Sequence, residues 1–211
     1  LVYTIGSNEV IGIRYLTSGK NLLVGTSGGE FVVRASGFDE PLAPSNTQIK
    51  QQTTYGSADI QPMQVGNATL FFQRDKRKLR ELVFSNESGS YVAPDMTILA
   101  EHITEGGIDE FAYQQEPDSV AWCVRSDGVL ACMTYRREEQ VVAWHRHLIG
   151  GTDTEVESVA VIPGDLDEDQ VYLIVKRTID GATKRYVEYL SGFDFGSDLE
   201  DAFFVDSGLT Y

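Results

Sequence analysis

A chain of 211 residues can form one large all-β domain or two small ones, and 42% apolar with 10% aromatic residues supplies a core that excludes a disordered chain. No apolar run approaches the roughly 18 residues of a membrane span, and two cysteines are too few for a disulfide framework. The net charge of −15 repels nucleic acid at long range and excludes a basic DNA-reading module.

The segment 11–16 and the runs 22–25 and 30–35 around Ser27-Gly28-Gly29 predict a leading strand and a hairpin. The next lead is 60–65, followed by the hairpin 69–73/79–85 around Asp75-Lys76 and an outer strand at 90–95. Residues 95–103 are the best helix candidate, with Asp95 after Pro94 as its cap. A third lead at 108–113 precedes the hairpin 119–125/129–135 around Asp127-Gly128, with an outer strand at 140–148. A fourth lead at 157–162 precedes 171–177/182–190 around Asp180-Gly181. Asp-Gly favours a two-residue turn because both central positions need positive φ.

The leads start 49, 48 and 49 residues apart. A fixed period near 50 built from three or four strands predicts an all-β, β-propeller-like fold of about four antiparallel blades. The blades are expected near 11–58, 59–106, 107–155 and 156–192, making one domain over 1–192. Residues 193–211 are expected to lead toward a further domain, because the chain opens on Leu1 instead of Met and stops in a strand-like run. The alternative architecture is a pair of β-sandwiches, which would not need the repeat.

Charge is unevenly spread. From Glu81 to Val124 there are nine acids and no base, and from Gly151 to Asp169 seven acids and no base. The bases gather at two hairpins: Arg74, Lys76, Arg77, Lys78 and Arg80 at one, Lys176, Arg177, Lys184 and Arg185 at the other. With Asp180-Gly181 as turn, Arg177 faces Lys184 and Lys176 faces Arg185, an arrangement that like-charge repulsion disfavours unless acids meet it. The expected acids are those of a neighbouring blade or subunit. Arg74, Lys76, Arg77, Lys78, Lys176, Arg177, Lys184 and Arg185 are therefore candidate subunit contacts, beside the plainer reading of solvated tips.

A two-residue turn at Asp127-Gly128 puts Cys123 opposite Cys132, with Cα atoms roughly 4.5 Å apart. They are a candidate facing pair, able to accept a strained disulfide but more simply two buried thiols. Zinc would need further soft ligands, and none is near in sequence. His145 and His147 share one strand face, without a third ligand at matching spacing.

In residues 164–170, Asp165, Asp167 and Asp169 alternate like the start of a calcium loop. Gln170 stands where such a loop needs Gly, and Lys176 where it needs Glu. The Gly-rich residues 25–31 lack the lysine of a phosphate loop and contain Glu30, so they read as a hairpin turn. With three histidines and no hydrolase or metalloprotease motif, the chain is read as a non-enzyme with no cofactor and no metal.

Residues 45–82, 98–135 and 141–151, with the phrase Gln-Gln-Thr-Thr-Tyr-Gly-Ser (51–57) through Val65-Gly66-Asn67, resemble phage structural proteins. The family is the tail nozzle, or tail tubular protein B type, of short-tailed bacteriophages. The resemblance implies a virion protein made in the bacterial cytoplasm: a homohexameric ring at the end of the tail, contacting the tail adaptor and other tail proteins. DNA would pass through it without sequence-specific binding. The alternative function is a propeller-type module binding protein or carbohydrate, with Trp122, Trp144 and exposed tyrosines as platforms.

Overall fold

A computed structural model describes residues 5, 11–37, 40–164, 168–192 and 196–208. The chain is all-β and forms two compact units, residues 1–107 and 108–211, each holding two antiparallel sheets. Each sheet is a meander in chain order. In the first unit they are β1 (Ile13–Ser18), β2 (Leu22–Thr26), β3 (Gly29–Ala35) and β4 (Thr47–Thr53), then β5 (Met63–Val65), β6 (Ala68–Phe72), β7 (Leu79–Ser85) and β8 (Ser90–Val92). In the second unit they are β9 (Ile108–Gln114), β10 (Val120–Arg125), β11 (Leu130–Arg136) and β12 (Val141–His147), then β13 (Glu155–Pro163), β14 (Asp169–Ile179) and β15 (Ala182–Tyr189). All four predicted hairpins form, each preceded by its predicted lead; three sit at the centre of four-stranded sheets, and the fourth, β14–β15, ends its three-stranded sheet on an edge strand. The outer strands read at 90–95 and 140–148 appear as β8 and β12.

The central strands of the first three sheets are buried on both faces and mostly apolar, with Glu30, Arg80 and Glu81 as buried charged exceptions. In the first unit Leu23 and Val32 of one sheet pack with Tyr15 against Phe71 and Leu82 of the other, closed by Ala93. In the second unit Val120, Trp122, Val124, Leu130 and Cys132 pack against Val156, Val159, Val171, Leu173 and Val175. Burying each of the larger side chains contributes about 2 kcal/mol relative to exposure.

Residues 95–103 are not a helix. The Asp95 carboxylate accepts hydrogen bonds from the Thr97 amide, at 2.8 Å, and from its hydroxyl, at 2.5 Å, forming a tight turn in place of an N-cap. Successive turns then close from Ala100 N–H to Thr97 O and from Ile103 N–H to Ala100 O, both at 2.8 Å. The segment is short, Thr97 and Ile98 are β-branched, and Ile98 and Leu99 are 70% and 93% exposed, so only Ala100 and Ile103 are left as a buried apolar contact, too little to hold a helix.

The Asp180-Gly181 turn has the expected two-residue form, with φ of 51° and 74°, and Lys176 pairs with Arg185 and Arg177 with Lys184. The Asp127-Gly128 turn does not. Arg125 pairs with Val129 through an amide-to-carbonyl bond of 3.0 Å, and the Gly128 amide donates to the Arg125 carbonyl at 2.9 Å. Three residues, Ser126 to Gly128, make the loop, and Gly128 alone takes the left-handed conformation, φ 79°. The register moves by one: Cys123 pairs with Ala131, and Cys132 with Trp122. The predicted facing pair Cys123–Cys132 is thus overturned, because a one-residue slip sends the two thiols to opposite faces. Both are free and buried.

Candidate functional site

The basic residues of the last hairpin find acids inside their own sheet. Lys176 Nζ lies 2.6 Å from Glu155 Oε2. Arg185 makes a two-pronged pair with Glu157, at 2.7 and 2.9 Å, and this raises the guanidinium pKa while holding the Glu157 carboxyl below its usual range. Arg177 is only 7% exposed. Its Nε and Nη2 donate to Glu188 at 2.9 and 2.8 Å, and its Nη1 donates to the Gly150 carbonyl. Within the chain the acids that meet these like-charge pairs come from β13 and β15 of the same sheet, not from a neighbouring blade. Lys184 is exposed and has no ion-pair partner among the described residues.

At the other basic hairpin, Lys78 lies 3.4 Å from Asp95 and 3.6 Å from Glu101. Arg74 and Arg77 are exposed. Arg74 and Lys76 line a cleft with Arg14, Ser27, Gly28, Ser57 and Asp59. Arg80 is buried: its guanidinium lies 3.4 Å from the centroid of the Tyr55 ring, and it donates to Gln73 and to the Ala93 carbonyl, both at 2.7 Å. Of the alternating acids, Asp165 and Asp167 lie outside the described residues. Asp169 accepts from the Gln115 and Glu116 amides at 2.7 and 3.0 Å, a structural clamp on a neighbouring loop.

Glu30, beside the Gly-rich turn in β3, is only 1% exposed. Ser57 donates to it at 2.7 Å, and the Thr53 hydroxyl also donates. Burial pushes its carboxyl pKa up, and these two hydrogen bonds and the Arg80 charge oppose that shift only in part. The folded state therefore binds the Glu30 proton more tightly than the unfolded chain. Its contribution to stability is fullest below the unfolded value of about 4.3 and is lost as pH rises toward the folded one. Glu30→Gln removes the titration, so its stability relative to the parent is expected to rise between pH 4 and pH 8, as urea unfolding at each pH would measure.

The register of β11 and β12 builds a cluster that sequence spacing concealed. Cys132 pairs with His145, and Leu130 with His147, so the thiol and both imidazoles share one face. Cys132 Sγ and one ring nitrogen from each histidine lie within 4.8 Å of one another. The two imidazoles meet edge to face, with centroids 5.1 Å apart, and His147 rests 5.5 Å from the Trp122 ring. Trp122 is buried, its Nε1 donating to Gln114 at 3.0 Å, so it supports this cluster and offers no exposed platform. Burial lowers both histidine pKa values and raises that of the thiol. The signal in the sequence was the short β11–β12 turn, which sets Arg136 opposite Val141 and hence Cys132 opposite His145. Spacing along one strand does not show a ligand contributed across two.

No helix among the described residues is long and apolar enough to cross a membrane. Comparison with protein-family models and with curated proteins finds no match to this chain.

Proposed function

We propose that this chain belongs to a structural component of a short-tailed phage tail, a nozzle or tubular protein that assembles as a hexameric ring and conducts DNA during ejection. Its place would be the virion, against the tail adaptor and other tail proteins. The supporting architecture is four successive meander sheets, whose first strands begin 50, 45 and 47 residues apart, close to the repeat expected of propeller blades. The carrying observation is electrostatic. Lys78, Arg125, Arg136, Lys176, Arg177 and Arg185 are all ion-paired to carboxylates of the same chain, on a protein of net charge −15. Each phosphate gripped by a free Lys or Arg adds salt-sensitive affinity, so engaging these six of the 17 bases on an acidic protein weakens the hold on a duplex and favours sliding.

The second reading, a module binding protein or carbohydrate, draws on Tyr172 and Tyr189, whose rings pair at 6.1 Å, and on the half-exposed Tyr186. Light scattering on the protein as its gene encodes it is expected to give the mass of a hexamer. A monomer at every concentration would overturn the nozzle reading, and specific retention on a glycan array would favour the second.

A further inference from the structure

We propose that Cys132, His145 and His147 bind one zinc-class divalent ion. Three observations converge on it. The donor set is one sulfur and two imidazole nitrogens, which suits a borderline-soft ion that takes tetrahedral coordination. The three donors come from two hydrogen-bonded strands in fixed register, so the backbone has already placed them, and the atoms lie within 4.8 Å of one another. Zinc–sulfur and zinc–nitrogen bonds of about 2.3 and 2.0 Å need the donors closer together, within reach of side-chain rotation. The depth of the donors is graded: Cys132 is fully buried, His145 half-buried and His147 exposed. An ion held there reaches solvent on the His147 side, where water completes four-fold coordination.

On binding, the Cys132 thiol releases its proton to solvent and the thiolate sulfur forms the bond to the ion, while both imidazoles bind as neutral donors. Cys123 takes no part, because it lies on the opposite face of the sheet. The buried Trp122 against His147 limits the ring's freedom and so keeps one ligand in position. The ion would tie β12, whose side chains are exposed or half-exposed, to the buried β11.

The test is titration of the reduced protein with cobalt(II), a spectroscopic stand-in for zinc, followed by displacement with zinc. The expected result is one equivalent bound, with a near-ultraviolet sulfur-to-cobalt charge-transfer band and visible bands of four-coordinate cobalt, all lost on adding zinc. His147→Gln, at an exposed position, should leave the metal-free melting temperature unchanged and weaken zinc affinity about 100-fold or more. Cys132→Ala should abolish the charge-transfer band, and Cys123→Ala should keep it. Absence of the band in the parent protein, its loss in Cys123→Ala instead, or unchanged affinity in a folded His147→Gln each overturns the proposal.

Discussion

Replacing Gly128 by alanine is expected to lower the free energy of unfolding by about 3 kcal/mol, read as a shift in the urea midpoint at constant slope. Part of the loss is conformational: at φ 79° a Cβ costs about 1–2 kcal/mol. The larger part is steric. A Cβ at this position would stand 2.4 Å from Glu155 Cβ and 2.8 Å from Glu155 Cα, so backbone, and not only a flexible tip, must move. Moving β13 there also strains the 2.8 Å hydrogen bond from the Val156 amide to the Gly128 carbonyl and the Glu155–Lys176 pair. Gly181 is the control. It has a similar φ of 74° but open space around its added Cβ, so Gly181→Ala should show the conformational part alone.

Glu188→Gln is expected to cost about 3 kcal/mol, because it removes the carboxylate hydrogen-bonded to a buried guanidinium and leaves the weaker influence of Asp206 in its place. The glutamine keeps an acceptor for one prong and loses the charge. The double replacement Arg177→Met with Glu188→Leu should recover much of the loss, since removing both ends of a buried pair avoids an unpaired charge. A double-mutant cycle on thermal or urea unfolding measures the coupling. Arg185 and Glu157 make the contrasting case. Arg185 is largely solvated, and breaking that pair should move stability by under about 1 kcal/mol despite equally short hydrogen bonds.

The strands were legible because the chain repeats a simple device, an apolar run, a polar turn and a second apolar run, at near-constant spacing. What sequence did not disclose was how one dipeptide behaves in two places. At Asp180-Gly181 both residues take positive φ and the turn holds two residues. At Asp127-Gly128 the aspartate is engaged from its side chain. Its carboxylate accepts from Arg125 Nε at 3.0 Å and from the Val129 amide at 3.3 Å, and the Arg125 pair holds its pKa below the usual range. That bonding keeps Asp127 out of the left-handed region and draws Ser126 into the loop. One residue of difference moves Cys132 from a place opposite Cys123 to one opposite Trp122. The cysteine–histidine cluster has a separate origin, in the β11–β12 register that sets Cys132 opposite His145. The acids that answer Lys176, Arg177 and Arg185 were concealed differently: alternation gives a strand's faces, but the strand that lies beside it follows only from the assembled sheet.

In every sheet the strand order is the chain order, so each pairing joins neighbours along the chain and no strand waits for a distant one. The loops to be closed are therefore short, and closure entropy grows with their length. Such a protein escapes the long searches that slow Greek-key sandwiches of the same size, where early and late strands must find each other. Each meander can zip outward from its central hairpin as the polypeptide emerges from the ribosome, which shortens the time its unpaired strand edges are exposed to other chains.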